Sequence, residues 1–126
     1  MDMIKETLSL LKLVLQARAP YDTGNLALNS IRIVDNAVYI GGEIADYAIF
    51  TNEPWINRPG KNPNEGWVQA AIMEAVPIIQ KALKNVSMDD VRFAKKKYRK
   101  IINERKRKML RKFETEKQKI QGAVEQ

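Results

Sequence analysis

Residues 30–41 read SIRIVDNAVYIG, and this stretch decides the fold class of the chain. Apolar and polar residues alternate on either side of Asp35-Asn36, as in strands that each bury one face. A two-residue connection between antiparallel strands requires a left-handed conformation, which Asn tolerates. The stretch therefore predicts a β-hairpin with strands at 30–34 and 37–41.

A helix is predicted on the N-terminal side of the hairpin. Residues 3–17 carry apolar side chains at helical spacing, which indicates an amphipathic helix docked on a core. This apolar stripe consists of Ile4, Leu8, Leu11, Val14 and Leu15. The helix should end near Arg18, because Ala19 precedes Pro20 and the α conformation is disfavoured at that position.

A second helix is predicted to begin at Asn62. Asn62 at the N-cap, Pro63 at the first helical position and Glu65 at the third form a start signal. An apolar stripe follows over residues 67–83. Pro77 lies inside this stripe and should kink or locally break the helix.

A third helix is predicted to start at Ser87, which forms a capping box with Asp90 three residues later. It should run toward Ile120 and stop at Gly122. Its apolar residues are sparse, so it reads as a charged helix laid against the body or a partner along one narrow seam. The predicted fold class is α+β, a small antiparallel sheet packed by two helices, with a long basic C-terminal helix in addition.

Composition restricts the chemistry that the chain can perform. The 126 residues contain no Cys and no His, which excludes thiol catalysis and removes the commonest general base and metal ligand. No Asp/Glu cluster has metal-binding spacing. We therefore expect no cofactor, no metal and no enzymatic activity.

The net charge of +7 is distributed unevenly along the chain. Residues 1–86 are close to neutral, with eight Lys and Arg against nine Asp and Glu. Residues 87–126 carry 14 Lys and Arg against six Asp and Glu. This asymmetry predicts an α+β core over 1–86 and a basic helical arm over 87–126.

The triplet Asp22-Thr23-Gly24 allows two interpretations. In aspartic proteases such a triplet carries the catalytic carboxylate, and a chain this short would have to dimerise so that two carboxylates share one proton. The flanking residues do not match the apolar strand and small residue of that motif. A structural role accounts for more of the sequence: Pro20 stops the first helix, Gly24 permits a sharp turn, and Asp22 or Thr23 caps the next segment.

The order of features around this triplet resembles the head–tail joining, or tail-completion, proteins of long-tailed bacteriophages. In that family Ala-Pro-x-Asp-Thr-Gly-x-Leu and then Ser-Ile precede a sheet, as residues 19–31 do here. A Tyr-Ala segment, a Glu and an Arg-Pro pair follow in the family, and match 47–48, Glu53 and 58–59. Glu53 leads into Pro54 here where the family often has Gly, and the basic helix has no counterpart. The structural motif residues are Pro20, Asp22, Thr23, Gly24, Leu26 and Ser30.

The resemblance implies a structural virion protein, made in the host cytoplasm and assembled at the neck of a tailed phage. Copies would form an oligomeric ring between the portal or its adaptor and the tail tube, with no active site and no membrane partner. Head-to-tail contacts that close by rotation produce such a ring. The implied partners are further copies of the chain, portal or adaptor proteins, and tail proteins.

The loop before the second helix supplies candidate contact residues. Residues 51–66, TNEPWINRPGKNPNEG, predict a long exposed loop. Trp55 is a candidate anchor for a neighbour's pocket, or folds onto its own domain. Arg58 is a second candidate and could pair with Glu53, contributing about 0–1 kcal/mol. Trp67 lies on the helix stripe and is predicted to be core.

The basic helix is the other candidate site. Its cations lie in the runs KKKYRK (95–100) and ERKRKMLRK (104–112) and wrap most of the helix circumference. Crowded like charge favours an acidic partner, either genome DNA or an acidic protein surface. No pattern for base-specific recognition accompanies it. The candidate residues are Lys95, Lys96, Lys97, Arg99, Lys100, Arg105, Lys106, Arg107, Lys108, Arg111 and Lys112.

Two functions from different classes follow. The first is a head–tail connector that docks through loop 52–62 and helix 88–120. The alternative is a small DNA-binding or regulatory protein whose basic helix grips phosphates without sequence preference. Salt distinguishes them, because phosphate-driven binding weakens steeply with ionic strength.

Overall fold

The computed structural model describes residues 3–20, 30–41, 51–54 and 59–125, with the side chains of the last helix through residue 122. In this part of the chain, three helices and one two-stranded antiparallel sheet confirm the α+β class with a long C-terminal helix. The elements are α1 (Met3–Arg18), β1 (Ile31–Val34), β2 (Ala37–Ile40), α2 (Trp67–Lys84) and α3 (Asp89–Glu125).

Helix α1 lies at the centre of the fold, since it packs against α2, α3 and both strands. Its buried residues are Leu10, Val14, Leu15 and Ala17. The predicted stripe was partly wrong: Ile4 is 56% exposed, whereas Leu10 lies outside that stripe and is fully buried. Leucines occur on nearly every side of this helix, so its periodicity leaves the buried face undetermined and the packing partners select it.

The hairpin and its two-residue turn are confirmed. Strand β1 pairs antiparallel with β2, from Val34 opposite Ala37 at the turn to Ile31 opposite Ile40 at the open end. The left-handed residue of the turn is Asp35, with φ of 53°. Asp, like Asn, has a short polar side chain that tolerates this conformation.

The two faces of the hairpin meet different surroundings. Ile31 is buried, and Val38 and Ile40 pack against the core from the same face. On the other face the Arg32 guanidinium carbon lies 5.9 Å from the centre of the Tyr39 ring, a cation–π contact. The alternation read from the sequence thus corresponds to one face on the body and one toward solvent.

Helix α2 begins at Trp67, so the prediction that Asn62 is its N-cap was wrong. The N-cap position is Gly66, in a left-handed conformation with φ of 74°. The Val68 N–H donates to the side-chain oxygen of Asn52 at 2.9 Å, and the Gly66 N–H donates to the Asn52 carbonyl at 2.9 Å. The cap therefore comes from a residue outside the local sequence pattern.

Asn62 instead fastens the base of the predicted loop. Its buried amide nitrogen donates to the carbonyls of Thr51 and Glu53, each at 2.8 Å. Trp67 is buried as predicted, and its indole N–H donates to the Thr51 hydroxyl at 3.0 Å. The loop over residues 51–66 is therefore not wholly exposed, because its two ends are hydrogen-bonded to each other and to the start of α2.

The break predicted at Pro77 does not occur, and α2 continues through it to Lys84. Pro77 is exposed. Proline removes one backbone hydrogen bond, to the carbonyl of Met73 four residues earlier. The Met73 side chain is itself highly exposed, so the turn affected faces water, which can satisfy that carbonyl.

The turn from α2 to α3 places a valine in a conformation that favours glycine. The Val86 N–H donates to the Leu83 carbonyl at 3.2 Å, and the Ser87 N–H donates to the Ala82 carbonyl at 3.0 Å. These two bonds form a Schellman motif, whose left-handed residue is Val86 with φ of 50°. A β-branched side chain in this region is strained.

Replacing Val86 with glycine is expected to raise the free energy of unfolding by about 1 kcal/mol. The left-handed conformation costs a residue with a Cβ about 1–2 kcal/mol, and the greater chain entropy of glycine offsets part of that gain. The Val86 side chain is 81% exposed, so its removal sacrifices little burial. Urea denaturation should show the gain for Val86→Gly and a smaller change for Val86→Ala. A glycine variant less stable than the parent would contradict this account.

Helix α3 starts with a cap from Ser87 but without the predicted capping box, and it continues past its predicted stop. The Asp89 N–H donates to the Ser87 hydroxyl at 3.2 Å. The reciprocal bond to Asp90 does not form, because the Ser87 N–H belongs to the Schellman motif, and the Asp90 carboxylate instead lies 3.8 Å from Lys81. Gly122 does not end the helix, since glycine costs a helix only about 1 kcal/mol.

The first half of α3 belongs to the core. Its buried residues are Val91, Ala94, Tyr98 and Ile102, and Met88 just before the helix is buried as well. The described core thus extends past the boundary predicted at residue 86. From residue 106 onward every described side chain is exposed except the half-buried Met109. At 1.5 Å per residue this distal part, residues 106–125, is about 30 Å long.

Candidate interaction surface

Arg105, one of the eleven predicted basic residues, caps the C-terminal end of α1. Its guanidinium donates to the main-chain carbonyl of Gln16 at 3.0 Å and also to the carbonyls of Ala17 and Ala19. The last carbonyls of a helix have no partner within the helix, and a cation there also opposes the negative end of the helix dipole. Arg105 therefore joins α1 to the point where α3 leaves the body.

Lys95 is the second predicted basic residue that lies against the body. Its ammonium group pairs with the Glu6 carboxylate of α1 at 3.1 Å, and its side chain is only 12% exposed. Lys95 and Arg105 lie on the packed side of α3, ten residues apart. Both take part in contacts within the body rather than in an open surface.

The other nine predicted cations are exposed along α3, as are two lysines near its C-terminal end that the prediction omitted. Residues 106–122 alone carry seven Lys and Arg against two Glu, a balance of +5. These eleven cations are Lys96, Lys97, Arg99, Lys100, Lys106, Arg107, Lys108, Arg111, Lys112, Lys117 and Lys119.

A row of apolar side chains follows the same helix beyond the body, and we call it the distal seam. It consists of Met109, Leu110, Phe113 and Ile120. Phe113 is 67% exposed and Leu110 and Ile120 are similarly open. At 100° per residue, Met109, Phe113 and Ile120 fall on the same side of α3 as the buried Ile102. The face that packs on the body therefore continues, without a described partner, through the distal half.

The opposite side of α3 carries a concavity of about 700 Å³. Its walls are formed by Phe93, Lys96, Lys97, Arg99, Lys100, Ile101 and Glu104. Four of these seven residues are basic, and their aliphatic stems can cover apolar surface while the charged ends stay in water. Phe93 is 76% exposed, so it is a large apolar side chain at this basic rim.

One polar cluster was not identified from the sequence. Arg18 donates to both carboxylate oxygens of Glu74, at 2.9 and 2.7 Å, and the hydroxyl of Tyr98 donates to Glu74 at 2.5 Å. These residues come from α1, α2 and α3, so the cluster links all three helices. The only local signals are a Glu and a Tyr among apolar helix positions, which do not reveal that the two meet.

The cluster lowers the pKa of Glu74 and raises the pKa of Tyr98. Its hydrogen bonds with Arg18, and secondarily with Tyr98, hold the pKa of the Glu74 carboxyl below its usual value. Burial, together with the bond to Glu74, raises the pKa of Tyr98 to about 12. The phenol therefore remains a proton donor at neutral pH and the carboxylate remains an acceptor. This arrangement suits a structural link rather than proton transfer.

Of the remaining predicted residues, some lie in the body and the others lie outside the residues that the structure describes. Ser30 is buried, and its carbonyl accepts the Gly41 N–H at 3.0 Å. Pro20 is half-buried beside the fully buried Ala19. The residues that lie outside the described part are Trp55, Arg58, Asp22, Thr23, Gly24 and Leu26.

No group of three or more Asp and Glu side chains in the described ranges could hold a metal ion. Of the helices described, none is both long and apolar enough to cross a bilayer. No protein-family model, curated protein or solved structure matches the chain.

Proposed function

We propose that this chain is a structural virion protein of a tailed phage, a head–tail connector or tail-completion subunit that forms an oligomeric ring at the neck. The order of motifs around residues 19–31 supports the proposal by its resemblance to that family. A small α+β body is compatible with a role in assembly. The subunit has a structural task and performs no catalysis.

The observation that carries the proposal is the distal half of α3. Residues 106–122 bring +5 of charge and the distal seam, yet contribute almost nothing buried to the body. Most of the stability of helices in proteins comes from tertiary packing, and this half has almost none within the described monomer. Its value to the protein therefore lies in contacts outside the monomer, as expected of a subunit that is completed in an assembly.

The contacts of Lys95 and Arg105 suit this task. They attach α3 to α1 at two points, and Arg105 acts at the last turn before the helix leaves the body. A helix held in this way presents its distal half in a fixed direction. Fixed presentation reduces the ordering cost that a flexible arm would incur on binding.

Identification of the chain in fractionated particles tests the proposal. Heads, free tails and complete virions from the source would be separated, and the chain quantified in each by mass spectrometry. A fixed, low copy number in complete virions and in the neck-bearing fraction is expected. Absence from every particle fraction would reject a virion role.

The exposed cations favour one second candidate, a protein that binds nucleic acid phosphates without sequence preference. Titration of a 20-base-pair duplex at several salt concentrations tests it. Phosphate-driven binding predicts that log K falls by about 0.9 per phosphate contacted for each tenfold rise in salt. It also predicts that the neutralising change of Lys106, Arg107 and Lys108 to Gln reduces this slope. A flat salt dependence would exclude the candidate.

A further inference from the structure

We infer that the distal seam packs against a second helix, and that this second helix is an acidic amphipathic helix of a partner protein. This inference deepens the proposed function and rests on it for the assembly in which the partner occurs. It selects an acidic protein over DNA as the occupant of this side of α3.

The spacing of the seam supports a two-helix contact. Phe113 and Ile120 are seven residues apart, as are Ile102 and Met109, and a seven-residue repeat is the pattern of coiled coils. In this register the a positions of the distal half are Lys106, Phe113 and Ile120, and the d positions are Met109 and Glu116. Met109, Phe113 and Ile120 therefore occupy the positions that enter a facing helix.

The charges beside the seam determine which helix fits. The flanking e and g positions hold Leu110 and three lysines, Lys112, Lys117 and Lys119, all exposed. In a parallel pair with a second copy, Lys112 of one chain would face Lys117 of the other, and Lys106 would face itself. In an antiparallel pair the flanking charges are again all lysines. Since e and g charges set partner choice, a second copy is disfavoured and a helix with Glu or Asp at these positions is favoured.

The distal seam also favours an acidic helix over the other two anionic surfaces that could bind here, nucleic acid and a membrane. Phosphate binding requires only the cations and leaves Phe113 and Ile120 without a role. A membrane surface would use the apolar side chains, but Glu116 and Lys106 interrupt that side of the helix and an anionic bilayer repels Glu116. A partner helix can place a lysine opposite Glu116 and a glutamate opposite Lys106. It can therefore pair with the charged as well as the apolar side chains of this face.

The test uses the full chain and a synthetic probe. The probe is a 21-residue helical peptide with Ile and Leu at a and d and Glu at e and g; its control has Ser at a and d and the same glutamates. Fluorescence anisotropy at 150 mM salt should show that the probe binds and that Phe113→Ser weakens this binding at least tenfold. Phe93→Ser is the matched variant, because Phe93 is also highly exposed but lies on the opposite side of the same helix, and it should leave affinity unchanged.

Four outcomes would overturn the inference. The Ser control peptide could bind as tightly as the probe, which would reduce the contact to charge. Both phenylalanine variants could lose affinity equally, which would show that the contact is not made by the distal seam. A 20-base-pair duplex or phosphatidylserine vesicles could bind in a Phe113-dependent manner more tightly than the probe. Circular dichroism would verify that both variants remain folded. If the peptide does not bind but the chain is present in virions, only the docking chemistry is rejected. If the peptide binds but the chain is absent from virions, only the proposed function is rejected.

Discussion

Replacing Arg105 with alanine is expected to lower the free energy of unfolding by about 3 kcal/mol. The change removes a charged donor from the carbonyls of Gln16, Ala17 and Ala19. Ala17 and Ala19 are buried, so water cannot replace all of these bonds. Buried carbonyls without partners, and the loss of a cation at the end of the α1 dipole, both act against folding.

Urea or thermal denaturation measures this effect, with Arg107→Ala as its control. Arg107 lies on the same helix two residues later and is exposed, so its replacement should change stability by no more than about 0.5 kcal/mol. Arg105→Lys should fall between the two, because lysine keeps the charge but lacks the planar fork that reaches several carbonyls. Equal stability of the two alanine variants would show that the cap does not support the fold.

Replacing Glu74 with glutamine is expected to lower stability by about 1–2 kcal/mol at neutral pH, and by progressively less in acid. The loss of stability is this small because solvent screens the ion pair, since the side chains of Glu74 and Arg18 are 30% and 44% exposed. Glutamine retains an oxygen that can accept the Tyr98 hydroxyl, so the substitution mainly removes the charge that Arg18 contacts.

The pH dependence follows from the lowered pKa of Glu74. Unfolding returns the carboxyl to its ordinary pKa of about 4.3. The contribution of the carboxylate is therefore fully present above that value, and is lost as the pH falls through the lower folded-state pKa. Denaturation of both proteins between pH 7 and pH 2.5 should show the two stabilities converging below about pH 4. Glu104→Gln, a change at an exposed glutamate of α3, is the control and should alter stability at pH 7 by no more than about 0.5 kcal/mol. A constant difference for Glu74→Gln would contradict the assignment.

Local chemistry was sufficient to predict several elements. The alternation around Asp35-Asn36 defined a hairpin whose turn and strands agree with the structure, because period-two burial and a two-residue turn are both read within a dozen residues. Pro20 and the residues before it defined the end of α1 near Arg18. The charge asymmetry defined a basic C-terminal helix, and exposure of most of its cations follows from the cost of burying charge.

Long-range contacts decided what the sequence left open. Asn62 matched a helix cap by spacing, yet it bonds to Thr51 and Glu53 because the folded chain brings their carbonyls within reach. Lys95 and Arg105 are indistinguishable in sequence from their basic neighbours. Only the position of α1 against α3 determines that these two cations pair with the body.

The sequence by itself determined the α+β class, the hairpin and the basic character of the last helix, because each depends on residues close together in the chain. Only the tertiary structure decided which face of α1 is buried, that Arg18, Glu74 and Tyr98 meet, and where along α3 the body ends. These features depend on partners 24 to 89 residues apart, whose approach is fixed by the packing of whole helices. No local pattern records that packing.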